Sequence, residues 1–181
     1  MTEPTELGLD RSVPLARGPG GGRRFILPTR GHGTVKIAGN ESGGTLSAFE
    51  LVLEPGEGPG AHVHSREHEI WYVLEGEFRF LLGDELVRQS AGGLAFGPRG
   101  LPHTFQNISP GTGRLLVITG PAGLEDFFLE YDRRATVPFD ADALQAAAEA
   151  GGITFIGPPL AISTPLTRSA EPDDDIEHTV A

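Results

Sequence analysis

The chain has no cysteine among its 181 residues, which excludes disulfides and thiolate metal ligands. Basic residues are scarce: 14 Lys and Arg stand against 25 Asp and Glu, for a formal net charge of −11. No basic patch is large enough to track phosphates, so nucleic acid is not expected as a partner. Long apolar runs are missing too. None approaches the roughly 20 residues that span a membrane, and the opening MTEPTELGLDRSVPLARGPGGGRR has no apolar core of signal-peptide length. The expectation is a soluble, cytoplasmic protein with no membrane partner. No nucleophile elbow or phosphate loop is visible, because GPGGG at residues 18–22 lacks a strand before it and a helix after it.

What the chain does have is turn formers and a core. It carries 26 glycines and 15 prolines and is 38% hydrophobic, a balance that favours many short strands over long helices. Residues 1–22 read as a flexible arm, 23–160 as one folded domain, and 161–181 as an acidic tail. Within the domain, TLSAFELVLEPG alternates, with Ser47, Phe49, Leu51 and Leu53 on one face. EIWYVLEGE is apolar enough for both faces to be covered, and EFRFLLGDELVRQS reads as a hairpin around Gly83-Asp84. GRLLVITGP is the last clear strand. Two short helices follow: one with Leu124, Phe127, Phe128 and Tyr131 at helical spacing, and an alanine-rich one capped by Asp140 and stopped by a glycine pair. They are expected on the outside of a β sandwich or barrel.

Six histidines occur in all, and three of them fall within HVHSREH, residues 62–68. His62 and His64 are two apart, which on a strand puts both side chains on one face. Glu69 opens the next apolar strand, and His103 follows the RGLP turn far along the chain. Three imidazoles and a carboxylate, all at strand starts, can converge inside a barrel, and such donors suit first-row divalent metals. His68 reads as a rim residue. Arg99 reads as surface, and so does Arg79 if its neighbours Phe78 and Phe80 point inward.

The spacing of these residues resembles the cupins. Gly56, five residues, His62, one, His64, four, Glu69, six and Gly76 match the first cupin motif. Gly92, five residues, Pro98, one, Gly100, two, His103, three and Asn107 match the second, and fifteen residues separate the two motifs. The resemblance covers about residues 45–120 and implies an all-β double-stranded β-helix, or jelly-roll barrel, with two short C-terminal helices. It further implies that His62, His64, Glu69 and His103 hold one divalent transition metal ion (Fe, Mn, Ni, Co, Cu or Zn), that Gly56, Gly76, Gly92 and Gly100 are turn positions, and that Asn107 is structural. The chain is similar to single-domain small cupins of the quercetin 2,3-dioxygenase-like type.

That similarity implies a mononuclear metal-dependent dioxygenase acting on a small aromatic or enolic, flavonol-like substrate, with Glu69 as both ligand and catalytic base. The other readings are a metal-dependent isomerase, cyclase or decarboxylase, or a cupin that binds a small molecule without turnover. Phe49, Trp71, Phe78, Phe80 and Phe105 are the aromatic residues expected to line a substrate pocket. Small cupins commonly pair and IWYVL is apolar throughout, so a homodimer is expected.

Overall fold

Alternating strands decide the architecture. In the computed structural model, which describes residues 14–136 and 139–166, the strands run β1 (Arg23–Ile26), β2 (Gly31–Ile37), β3 (Ser47–Leu53), β4 (Gly60–His64), β5 (His68–Glu75), β6 (Glu77–Leu82), β7 (Glu85–Ser90), β8 (Leu94–Gly97), β9 (His103–Asn107) and β10 (Gly113–Gly120). Then come α1 (Leu124–Arg134), α2 (Ala141–Gly151), β11 (Ile153–Pro159) and the helical turn α3 (Leu160–Ser163). Residues 1–13 of the expected arm and 167–181 of the expected tail lie outside the described residues. The described end of the arm is tied down, with Arg17 donating to the Glu41 carboxylate at 2.9 Å. No helix among the described residues is long and apolar enough to cross a membrane.

The strands form two antiparallel sheets, one ordered β1-β2-β3-β10-β5-β8 and the other β11-β4-β9-β6-β7. This is the jelly-roll, double-stranded β-helix expected from the motifs. Between the sheets Phe49, Trp71, Phe78 and Phe80 are fully buried, and each such side chain contributes roughly 1.5–3 kcal/mol by leaving water. Trp71 of β5 packs 5.6 Å from Phe80 of β6 and 6.1 Å from Phe105 of β9, which locks one sheet onto the other. The four motif glycines Gly56, Gly76, Gly92 and Gly100 all have φ between 81° and 90°, a region that side-chain-bearing residues avoid.

Four features depart from the sequence reading. GRLLVITGP is not the last strand: β11 follows the helices and pairs with β4, setting Phe155 opposite His62. The helices do not lie on the outside, because Leu124, Phe127, Phe128 and Leu144 face a cavity shared with the histidines. Arg79 is not surface. Phe78 and Phe80 do point inward, but the outward-pointing Arg79 is covered by α3 and is only 3% exposed. Its guanidinium donates to Gln106 Oε1 at 2.7 Å and to the carbonyls of Leu160 and Thr164. In addition, β5 is covered on one face only, leaving Tyr72 and Leu74 exposed in the single chain.

Asn107, the last residue of the second motif, is fully buried. Its amide donates to the carbonyls of Leu53 and Gly111, both at 3.0 Å, and its oxygen accepts from the Ser109 N–H at 2.9 Å. Asn107→Ala strands buried backbone groups and is expected to cost about 2–3 kcal/mol. Chemical denaturation checks this, and an unchanged midpoint would contradict the structural role.

Candidate metal centre

The period of β4 puts His62 and His64 on its inner face, both buried, with Val63 half-buried between them. His103, the first residue of β9, pairs directly with His62. Glu69 comes from β5 in the opposite sheet, where it lies between Gly97 of β8 and Thr119 of β10. His62 therefore sits in the middle of β4 and His64 at its end, not at a strand start as the sequence suggested; Glu69 and His103 are near the starts of theirs. The ring centroids are 5.0 Å apart for His62 and His64, 4.5 Å for His62 and His103, and 5.2 Å for His64 and His103.

Ring orientation follows from hydrogen bonds. His62 Nδ1 lies 2.8 Å from the Gly60 carbonyl and His103 Nδ1 lies 2.9 Å from the Leu101 carbonyl. A carbonyl only accepts, so both rings carry hydrogen at Nδ1 and, when neutral, a lone pair at Nε2. Glu69 Oε2 stands 3.1 Å from His64 Nε2 and 3.2 Å from His103 Nε2. A lone pair at His103 Nε2 would face a carboxylate oxygen there, which repels unless something positive lies between them. One donor atom from each of the four residues falls within 4.8 Å of the others. Three imidazole nitrogens and one carboxylate oxygen fit a first-row divalent ion, so this buried group can hold a metal.

The charges agree with that geometry. Burial pushes the His62 ring down to about 3, helped by His103 and His64. Burial opposes charge on His64 too, but the Glu69 and Glu67 carboxylates outweigh it and raise His64 to about 9. Burial likewise opposes ionisation of Glu69, yet the neighbouring His64 and His103 hold its carboxyl below the usual range.

The site opens into a cavity of about 760 Å³, counting the solvent at its mouth. Its walls are almost wholly apolar: Leu51, Leu53, Phe105, Phe127, Phe128 and Phe155 contribute, while His62, His64, Glu69 and Thr29 are its polar members among the described residues. Of the five aromatics expected to line it, the structure puts Phe105 on the wall, whereas Phe49, Trp71, Phe78 and Phe80 pack in the core. The helical spacing of Leu124, Phe127 and Phe128 was visible, but spacing alone does not say which body a helix faces. Phe155 and Ile153 arrive on the unexpected β11. His68 is exposed on the face of β5 away from Glu69, accepts the Arg99 backbone N–H at Nδ1 (3.1 Å) and stacks on Phe96.

These shifts set a pH optimum for the metal-free fold. His62, lowered from 6.5 to about 3, stays neutral in the fold while the unfolded chain takes up a proton, so acidification below about 6.5 removes stability. His64, raised from 6.5 to about 9, keeps in the fold a proton that the unfolded chain releases, so raising the pH from 6.5 through about 9 also removes stability. The metal-stripped protein is expected to melt highest near pH 6.5. A melting temperature that climbs steadily from pH 7 to pH 9 would contradict the assignment.

Residues 49–119 match the family model of the cupin domain. A comparison with curated protein sequences finds no match. Among solved structures, TT1209 from Thermus thermophilus is similar at 35% identity, over 43% of this chain and 74% of that one, with a TM-score of 0.41. A predicted oxalate decarboxylase from Thermotoga maritima aligns at 23% identity over 54% of this chain and 90% of its own, with a TM-score of 0.50. An RmlC-like cupin from Shewanella frigidimarina aligns at 20% identity over 61% and 93%, with a TM-score of 0.51. The family match covers both motifs, and those motifs meet in space as one buried donor set, so the chain belongs to the cupin superfamily.

Proposed function

We propose that the chain is a mononuclear metal-dependent cupin dioxygenase acting on an uncharged aromatic or enolic molecule of flavonol type. The observation that carries this reading is the cavity: apolar walls end on His62, His64 and Glu69, with His103 completing the donor group beside them. His62, His64 and His103 would hold the ion, with Glu69 as the fourth ligand. An ion held there supplies a Lewis acid with coordination positions left open for a substrate oxygen. The apolar wall favours a flat, uncharged substrate body and keeps bulk water out, and among the described residues it offers no Lys or Arg to neutralise a small dianion. Glu69 meets His64 and His103 through Oε2, which leaves Oε1 to take the hydroxyl proton of an enol.

Oxygen uptake by the metal-loaded protein tests this. Consumption is expected with flavonols and other neutral aromatic enols, and none with oxalate. Conversion of an enol without oxygen uptake would move the reading to an isomerase, cyclase or decarboxylase. Binding of the enol without turnover would leave a non-catalytic cupin. Glu69→Gln, measured at verified full metal occupancy, is expected to lose on the order of 10²–10⁴-fold in rate. Wild-type turnover in that variant would reduce Glu69 to a ligand alone.

The homodimer belongs to the same proposal. Tyr72, Leu74, Leu94 and Phe96 are exposed on the outer face of neighbouring strands β5 and β8, with Tyr72 opposite Leu94 and Ile70 opposite Phe96. These positions are uncharged, so two copies of a chain carrying −11 would meet there with least repulsion. Phe96→Glu is expected to halve the mass seen by light scattering, and a monomeric wild type would contradict the proposal.

A further inference from the structure

We propose that Glu67 is a positioning residue for the metal, accepting the Nδ1–H of His64 and so fixing the tautomer that presents His64 Nε2 to the centre. This rests on the reading of the four residues as a metal site. His62 and His103 have Nε2 free for a metal, and His64 turns its Nε2 toward Glu69 Oε2 at 3.1 Å, so an ion here needs hydrogen at Nδ1 of all three rings. Backbone carbonyls hold it there for His62 and His103. His64 has no such carbonyl: both its ring nitrogens are buried without a hydrogen-bond partner among the described residues. The group facing its Nδ1 is Glu67 Oε2, at 3.7 Å.

Glu67 is itself 1% exposed, and neither of its oxygens has a hydrogen-bond partner among the described residues. A carboxylate buried in that state is costly unless a function keeps it. Its other oxygen, Oε1, lies 3.4 Å from Arg66 Nε, but Arg66 is anchored to the end of α2 through the Ala150 carbonyl at 2.9 Å. The carboxylate thus spans the gap between a fixed cation and a ligand ring. The packing around it leaves little other room: a side chain at Gly123, just before α1, would start 3.2 Å from Glu67 Oε1. Closing the Oε2–Nδ1 gap by about 0.7 Å makes an ordinary charge-assisted hydrogen bond. A carboxylate on the far side of a ligand imidazole raises its basicity. Glu67 and Glu69 together also balance the double charge of the ion inside an apolar cavity.

Cobalt(II) binding tests this, read by chelator competition and by the visible ligand-field bands. Glu67→Leu removes acceptor and charge and is expected to weaken cobalt about 10–100-fold and to shift the bands. Glu67→Gln keeps an acceptor oxygen and is expected to fall between that variant and wild type. Arg66→Gln removes the other neighbour and is expected to leave cobalt affinity within about twofold, in the range of an exposed pair's contribution. Cobalt affinity and bands unchanged in both Glu67 variants would overturn the proposal while leaving the metal site standing. Equal weakening in Arg66→Gln and Glu67→Gln would also overturn it, because the effect would then run through the fold. Failure of the wild type to bind cobalt would overturn both this role and the metal reading.

Discussion

The site depends on one carboxylate kept ionised away from water. Glu69 is 5% exposed, and burial alone would protonate it. It stays charged chiefly because the cationic His64 lies 3.1 Å from its Oε2, with His103 beside it at 3.2 Å. Those neighbours come from the opposite sheet, so the electrostatics hold only while the two sheets keep their spacing. The Trp71, Phe80 and Phe105 packing fixes that spacing, and the pairing of His62 with His103 fixes the register. Core and site are therefore one problem: a shift of β4 by a single residue would turn both histidines out of the barrel.

The same logic explains why a polar group sits at the bottom of an apolar cavity. Unpaired charge there is expensive, and the structure answers with mutual compensation instead of solvent. Glu67 extends this arrangement one residue outward, toward Arg66 and the end of α2. The C-terminal elements do more than decorate the barrel. α1, α2 and β11 supply Phe127, Phe128, Leu144 and Phe155 to the cavity wall, so much of the apolar lining lies outside the family-matched segment, residues 49–119, which holds the four donors.

Much of this was legible in the sequence. Period two put His62 and His64 on one strand face, and the match of both motifs to the cupins let Glu69 and His103 be named with them before any coordinates. Alternation correctly turned Phe49, Phe78 and Phe80 inward, but facing inward does not tell depth along the barrel; these rings fill the core and the cavity lies elsewhere. For Arg79, alternation gave the outward direction and could not show that α3 closes over it, a contact 81 residues away along the chain. The strand β11 was hidden by its GPP ending and by a partner, β4, nearly a hundred residues earlier. Glu67 carried no signal at all, because a carboxylate in a polar turn ordinarily faces water.

The account is tested most directly by locating the ion itself. Crystals of protein loaded with cobalt and measured at the cobalt absorption edge should show one anomalous peak per chain at about 2.0–2.2 Å from a ring nitrogen of His62, His64 and His103 and from a Glu69 oxygen. The lone pairs at His62 and His103 put that peak on their Nε2 side. A peak outside this group, or none in protein shown to carry cobalt, would contradict the central claim that these four residues exist to hold a metal.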